Sequence, residues 1–306
     1  MAEPSDASRR MLQPSRFGGR AIVAHEFITA IGALAAQDGS AGWQCAMFNA
    51  AAYAVAGLPE DVGDQIWSTD AAALVSGGYQ PHGRLAGGGT GRRLTGRWPA
   101  VTGAEFADWL LLTADDGGIR YYALVPRHEA RIEPVAALTG LSAAGICAVS
   151  VSELPVADQR VWPAESGSND RIAAGVLTGA GAAAAVVGSA DGLWRAHVRQ
   201  VRERLAASYG SDESADQTAS AAQVARAASD IDAAKLQIAT SLRDSVPDAL
   251  SAQRQAVSRA RDAADHLLAS SRRHALDASD PVARFWLDVH TGCRLTLSLL
   301  DGLGGF

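Results

Sequence analysis

Three patterns of apolar positions divide the chain, and each is typical of a different kind of structure. Over residues 20–68, apolar side chains recur with a helical period. Over residues 71–163, glycine becomes dense and short apolar runs alternate with turns, which is typical of strands. Over residues 171–301 the helical period returns. We therefore expect helices, then a β unit, then a second helical unit.

Turn residues between the apolar runs set the bounds of the predicted elements. Asp115-Asp116-Gly117-Gly118 is a hairpin signal, which favours antiparallel pairing of the strands on either side. Asp280-Pro281 predicts a helix start, because proline is favoured at the first helical position. The predicted strands span residues 74–79, 93–101, 109–113, 119–125, 132–138 and 146–154. The last four predicted helices span about 171–207, 214–245, 248–274 and 280–300.

The predicted fold class is α+β, in three parts. A helical unit occupies residues 1–70, a central antiparallel, barrel-like β domain 71–165, and a C-terminal four-helix bundle 166–306. Within the first part, residues 1–20 are polar, and we expect them to be loose.

One segment of the bundle, residues 172–190, is almost wholly Ala, Gly, Val, Leu and Ile and approaches the length of a membrane span. Charged residues flank it at Arg171 and Asp191. A helix that is apolar on all sides is also typical of the centre of a bundle, and we favour that interpretation. No membrane association is expected.

Charge and composition exclude further classes of function. The 306 residues carry a formal net charge of −6, with 48% apolar residues, which indicates a sizeable core and disfavours a nucleic-acid-binding face. Lys235 is the only lysine, so the Gly-Lys-Ser/Thr of a P-loop is absent. The three cysteines, Cys45, Cys147 and Cys293, form no CxxC pair, and the histidines have no ligand spacing. We expect no metal site, no signal peptide and a cytoplasmic location.

Four motifs occur in a fixed order along the chain, and together they resemble one known family. They are GSAGW at 39–43, YQPHG at 79–83, GRWPAVTG at 96–103 followed by ADW at 107–109, and PVARFWLDVH at 281–290. In their order and spacing, over about residues 12–301, these motifs resemble the flavin-dependent monooxygenases built on the acyl-CoA dehydrogenase fold.

The resemblance implies a two-component enzyme. Such an enzyme takes reduced flavin (FMNH2 or FADH2) from a separate flavin reductase, uses molecular oxygen, and acts as a hydroxylase or N-oxygenase on a small or polycyclic metabolite. The family assembles through its C-terminal bundles, so a homotetramer or homodimer is expected, and a hetero-oligomer is an alternative. A role in secondary metabolism is a further expectation, based on a composition typical of a high-GC bacterial genome.

The resemblance also implies roles for individual residues. Trp98 would pack beside the flavin ring, and the turn of Thr102 and Gly103 would supply backbone and hydroxyl contacts. Thr102 and His290 are the predicted catalytic residues, with His290 handling a proton, as a histidine can near neutral pH. The bundle helix that carries His290 also carries Trp286, four residues away and on the same face.

Each of these residues also has a structural interpretation, which the sequence leaves open. His290 could be a core residue bound to backbone, and Thr102 could simply end a strand. The predicted substrate contacts are Trp43, His82 and Trp286. Trp43 could instead fill the core, and His82 could lie in an exposed loop.

Departures from the family leave other functions open. The chain is expected to be shortened at its N-terminus, and Ala50-Ala51-Ala52 occupies a helix on which many relatives carry a histidine. No glutamate follows Glu213, so the base that acyl-CoA dehydrogenases use is missing. Phe106 stands where some hydroxylases have a polar residue or histidine. The alternatives are a flavin-dependent oxidase or dehydrogenase on a non-CoA substrate, or a non-catalytic partner subunit.

Overall fold

The structure is a computed structural model that describes residues 5–87, 91–135, 138–164, 171–207, 214–269, 277 and 279–304.

The first part of the fold is helical. Helix α3 is the central element of this part, since 15 of its 17 residues are buried. It can be buried on all sides because it is built largely from small and apolar residues, and Asp38 caps its N-terminus by accepting from the Ala41 N–H. The helices are α1 (Asp6–Arg9), α2 (Ala24–Ala35), α3 (Gly39–Val55) and α4 (Glu60–Trp67).

The prediction that residues 1–20 are loose is wrong for the described residues 5–20. Met11 and Gln13 are 1% and 2% exposed. The buried Asn49 of α3 accepts from the Leu12 N–H and donates to the Ser8 carbonyl, which fixes this segment to the helix. Polar composition was a poor guide here, because buried side-chain amides such as those of Asn49 and Gln13 pair with the backbone of this segment.

A seven-stranded sheet forms the second part. The strands are β1 (Val75–Ala86), β2 (Arg93–Thr102), β3 (Trp109–Asp116), β4 (Ile119–Pro126), β5 (Arg131–Pro134), β6 (Ile146–Pro155) and β7 (Val161–Pro163). Their order in the sheet is β5-β6-β2-β1-β3-β4-β7. Four of the six predicted strands are confirmed with small changes of length. β1 extends well beyond the predicted 74–79, β5 is shorter than the predicted 132–138, and the three-residue β7 was not predicted.

The prediction of a purely antiparallel domain is wrong at one pair of strands. β1 and β2 form an antiparallel hairpin, but β3 lies on the other edge of β1 and runs parallel to it. The chain reverses once between β1 and β2 and again between β2 and β3, so β3 must run in the direction of β1. The sheet is therefore mixed, and the turn after β2 crosses β1 to reach the opposite edge.

The third part is the expected four-helix bundle, with α5 at its centre. α5 packs against α2 and α3 as well as α7 and α8. Small residues allow these close approaches, since a Cβ at Gly188 would collide with the backbone of Gly32 in α2. The helices are α5 (Ala174–Ala207), α6 (Ser214–Ser241), α7 (Val246–Ala269) and α8 (Pro281–Gly304). Residues 270–274 of the predicted third bundle helix lie outside the described residues.

The apolar segment of α5 is buried, which confirms the interpretation as a core helix. Within the described residues, one helix stretch, 174–203, is long and apolar enough by length and composition to cross a membrane. Its most apolar window is entirely buried inside the fold.

Packing continues across the predicted boundaries between the three parts. Phe48 of α3 belongs to the apolar cluster inside the β domain. Gln80 of β1 donates to Ser298 of α8, and Arg120 of β4 donates to the Gly302 carbonyl near the end of α8. The division at 70/71 and 165/166 stays a prediction, and the contacts place β1 against both α3 and α8.

Candidate active site

The structure brings Trp43 and Thr102 together at the junction of α3 and β2. The Trp43 indole N–H donates to Thr102 Oγ1 over 2.9 Å, and the two residues are 3% and 4% exposed. The Thr102 carbonyl accepts from the Ser76 hydroxyl of β1, which anchors the end of β2. A hydroxyl has one donor and two acceptor positions, so Thr102 Oγ1 keeps its own proton to donate.

The turn after Thr102 depends on two glycines in the left-handed backbone region. Gly103 has φ +71° and donates its N–H to the carbonyl of Gly145, which has φ +66°. A Cβ at Gly103 would collide with the ring of Phe48. A side chain at position 103 is therefore excluded by conformation and by space. Phe106, three residues on, is 52% exposed, with its ring against Gly145.

An apolar wall lies beside the Trp43–Thr102 pair. A Cβ built on Gly292 of α8 would lie 2.9 Å from Val186, 3.6 Å from Leu141 and 3.8 Å from the Trp43 ring. The side chains of Leu141 and Trp43 therefore meet at the surface of α8, and Gly292 makes room for them. Leu141 and Trp43 are both buried, so this wall is closed to water.

The loop 138–145, between β5 and β6, supplies Leu141 to this wall. Leu141 has φ +53°, which is uncommon for a residue with a side chain. Its N–H donates to Asp288 Oδ1 of α8 over 2.6 Å, and the Ala143 N–H donates to Ser40 Oγ of α3 over 3.3 Å. Burial raises the pKa of Asp288 to about 6, and Asp38 adds to the rise, while the Leu141 N–H and Arg284 oppose it.

A second polar group lies between α7 and α8. One oxygen, Asp265 Oδ1, is 2.7 Å from both the indole nitrogen of Trp286, which donates to it, and His290 Nε2. The Trp286 and His290 rings are 4.1 Å apart and tilted by 39°. The His290 side chain is 31% exposed and that of Asp265 45% exposed. An Asp–His pair of this kind can hold or transfer a proton at the imidazole.

Within one chain, the structure does not bring His290 to Thr102. Gly292 faces Trp43, and successive helical residues are about 100° apart, so His290 points to about the opposite side of α8. The partly buried ring of His290 therefore faces away from the Trp43–Thr102 pair.

Two other predicted site residues are also outside this pair. Trp98 is 1% exposed inside the β domain, where its ring packs against Gly78, Gly83 and Gly96 and its indole N–H donates to the Thr113 carbonyl. The structure thus gives Trp98 a packing role, and a contact with a flavin ring stays a prediction. His82 is exposed on β1.

A groove of about 410 Å³ runs along the last turns of α5. It is lined by one indole, three arginines, a valine and a glutamate: Trp194, Arg195, Val198, Arg199, Arg202 and Glu203. Arg195 is paired with Asp191 over 2.7 Å. Guanidinium groups beside an aromatic ring suit a ligand that carries phosphate or carboxylate.

Known proteins resemble this chain in both sequence and fold. The family model described as "Acyl-CoA dehydrogenase, C-terminal domain" matches residues 180–297. The oxygenase subunit HsaA, a flavin-dependent monooxygenase of Rhodococcus jostii, is 28% identical over 92% of this chain and 82% of its own length. The oxygenase component of an FADH2-dependent resorcinol hydroxylase from a Rhizobium species is 26% identical over 96% and 82%. The crystal structure of 3-HSA hydroxylase from a Rhodococcus species superposes with a TM-score of 0.85 at 26% identity, covering 94% of this chain and 82% of that one.

The chain is a homologue of flavin-dependent monooxygenase oxygenase subunits. It has the acyl-CoA dehydrogenase fold, as the motifs predicted, and its named homologues are oxidoreductases.

In this monooxygenase homologue, the helix position at which many relatives were expected to carry a histidine is part of the core. Ala50, Ala51 and Ala52 are buried, and no polar side chain replaces the missing imidazole there. No group of three or more His, Cys, Asp or Glu side chains that could hold a metal occurs among the residues that the structure describes.

Three residues of these arrangements were not predicted from the sequence. Asp265 and Leu141 lie outside the recognised motifs. Asp288 was inside a recognised motif, but nothing in the sequence indicated that it binds the loop 138–145.

Proposed function

We propose that this protein is the oxygenase component of a two-component flavin-dependent monooxygenase, which takes reduced flavin from a separate reductase and oxygenates a small metabolite. The observation that carries the proposal is the buried Trp43–Thr102 hydrogen bond at the end of β2, beside the apolar wall of Leu141. It adds residue-level chemistry to the homology with oxygenase subunits. A hydroxylase or N-oxygenase reaction, a cytoplasmic location and a role in secondary metabolism are finer parts of the same proposal.

The residues around Thr102 fit a flavin ring. A flavin presents polar atoms along one edge and apolar faces. Thr102 Oγ1 accepts from Trp43 and so keeps one proton to donate to that edge, while Trp43 and Leu141 supply apolar surface.

When bound, a reduced flavin supplies the electrons for transfer of one oxygen atom to the substrate. The chain's own residues would do the rest. Trp43 occupies one acceptor position of the Thr102 hydroxyl, which leaves the hydroxyl proton available to a ligand. Leu141 and Trp43 keep water from that side, which protects an oxygen-reactive site. The left-handed turn at Gly103, packed against Phe48, holds the end of β2 in place beside Thr102.

His290 is placed to act at a site other than the Thr102 site of its own chain. Its Nε2 contacts Asp265, and its Nδ1 makes no hydrogen bond within the part of the chain that the structure describes. In a homo-oligomer packed through the bundles, this face of α7 and α8 would meet a neighbouring copy. We therefore include a homo-oligomer in the proposal, in which His290 handles a proton at a neighbour's site.

A flavin titration tests the proposal. The protein is titrated with oxidised FMN and FAD, then with the reduced forms under anaerobic conditions, and oxygen consumption is measured with a generic flavin reductase. We expect tighter binding of the reduced flavin, and loss of that binding in Thr102→Val but not in Thr102→Ser, which keeps the hydroxyl. Tight binding of oxidised flavin alone would favour an oxidase or dehydrogenase. No binding of either form would leave a non-catalytic partner subunit and would overturn the proposal.

A further inference from the structure

Asp288 connects three separate parts of the fold. Its Oδ1 accepts from the Leu141 N–H of the loop 138–145, and a Cβ on Gly39, the first residue of α3, would lie 2.6 Å from its Oδ2. The loop, in turn, contacts α8 so closely that Gly140 cannot carry a side chain, because a Cβ there would collide with the Leu287 carbonyl. The carboxylate therefore lies where α8, α3 and this loop meet.

The loop is held in a conformation that needs support. Leu141 has φ +53°, and such a backbone costs free energy in a residue with a Cβ, so it persists only where surrounding contacts impose it. Two backbone N–H groups of the loop are held by side chains of neighbouring helices. The Asp288 carboxylate binds the Leu141 N–H, and Ser40 binds the Ala143 N–H. The side chain of Leu141 is 2% exposed.

The loop 138–145 contacts the candidate site at two points. The Leu141 side chain lies with Trp43 at the surface of Gly292, and Trp43 holds the Thr102 hydroxyl. At the end of the loop, the Gly145 carbonyl accepts from the Gly103 N–H over 2.7 Å and so fixes the turn that follows Thr102. A change in the conformation of Leu141 would therefore affect both the Thr102 side chain, through Trp43, and the backbone at Gly103, through Gly145.

We propose that Asp288 is a positioning residue, which holds Leu141 in its left-handed conformation and thereby sets the apolar wall and the Thr102–Gly103 turn. As far as it concerns flavin binding, this inference rests on the proposed function. Asp288 touches neither Thr102 nor Trp43 in the contacts described, and it acts through the loop.

Two substitutions distinguish the role of Asp288 as a hydrogen-bond acceptor from the role of its negative charge. Asp288→Asn keeps the size and an oxygen that can accept from the Leu141 N–H, whereas Asp288→Ala removes the acceptor. Asp301→Ala is the matched control, because Asp301 is an exposed carboxylate on the same helix, paired with Arg254.

Amide hydrogen exchange measures the positioning without any flavin. We expect Asp288→Ala to speed exchange about tenfold in both 138–145 and 100–106, while Asp288→Asn and Asp301→Ala leave both segments unchanged. Faster exchange in 138–145 with 100–106 unchanged would overturn the proposal, and so would equal effects of Asn and Ala.

If Asp288→Ala does not fold, Asp288→Val is the second variant, because it removes the acceptor and leaves a smaller cavity. We expect Asp288→Val to speed exchange in both 138–145 and 100–106. Exchange in 100–106 at the native rate, with fast exchange in 138–145, would count against Asp288 acting through Leu141.

Flavin affinity is the second measurement. We expect Asp288→Ala to weaken binding of reduced flavin about fivefold, the effect of one lost hydrogen bond, with Asp288→Asn within about twofold of the native protein. A native protein that binds no flavin would overturn the proposed function, while the exchange result would still decide the role of Asp288. If the native protein binds reduced flavin and Asp288→Ala binds it equally tightly, the role of Asp288 at the site would be overturned.

Discussion

The indole N–H of Trp43 and the hydroxyl of Thr102, 59 residues apart in the sequence, are joined by a buried hydrogen bond of 2.9 Å. Either residue alone has an ordinary structural explanation, as a core tryptophan or a strand-end threonine. Their contact changes this, because it fixes the orientation of a hydroxyl at the end of a strand where α3, β1 and β2 meet. A substitution at Trp43 therefore tests the role of this hydroxyl directly.

Trp43→Phe should weaken binding of reduced flavin about fivefold, since it removes the donor that orients the Thr102 hydroxyl while keeping an aromatic ring. Isothermal titration of reduced flavin under anaerobic conditions gives the affinity. Trp67→Phe is the matched control, because Trp67 also loses a buried indole hydrogen bond, to the Ala73 carbonyl, in a different apolar cluster. Equal loss of affinity in both variants would mean that general destabilisation explains the result.

His290→Gln should leave flavin affinity unchanged and lower the rate of oxygen consumption, by a factor on the order of 10² if His290 transfers a proton. Affinity and rate should respond differently because His290 faces away from Thr102 on α8. Asp265→Asn should reproduce part of the loss, since Asp265 orients the imidazole. Asp262→Asn, an exposed neighbour paired with Arg261, is the control. A normal rate in His290→Gln would show that the Asp265–His290 pair is structural.

Gly103→Ala should destabilise the protein by about 2–4 kcal/mol, because it combines a left-handed backbone with a collision against Phe48. Gly117→Ala separates the two causes. Gly117 has φ +63° in a hairpin turn and has no atom within 4 Å of a built Cβ, so only the backbone cost of about 1–2 kcal/mol applies. Urea unfolding of both variants gives the comparison, and equal losses would contradict the contact between Gly103 and Phe48.

The sequence predicted most helices and strands, because their apolar periods are long and their turns are marked by Gly, Asp and Pro. It could not predict the partners of each strand. Hairpin signals identify neighbours in sequence, whereas the parallel pairing of β1 with β3 depends on which edge β3 reaches. The site was predicted in part for a similar reason. Thr102 and His290 lie in recognisable motifs, but Asp265 and Leu141 gain their importance only from contacts across the fold, which no local pattern encodes.

The pKa of Asp288, raised by burial to about 6, predicts how stability changes with pH. The ordinary pKa of the group is 3.8, so the folded protein binds this proton more tightly than the unfolded chain does. The contribution of Asp288 to stability is therefore fully present below about pH 4 and is lost as the pH rises through 6. Asp288→Asn cannot titrate, so the native protein should lose stability relative to this variant between pH 5.0 and 7.5, by on the order of 1–3 kcal/mol.

Urea unfolding of both proteins at several pH values measures this difference, and groups common to both cancel in the comparison. Asp301→Asn should instead run parallel to the native protein, because Asp301 is exposed and its pair with Arg254 is at the surface, where such pairs contribute little. If the curves of Asp288→Asn and the native protein are also parallel, Asp288 is not a desolvated carboxylate. In that case the Asp288 carboxylate would still bind the Leu141 N–H, but it would do so in contact with water.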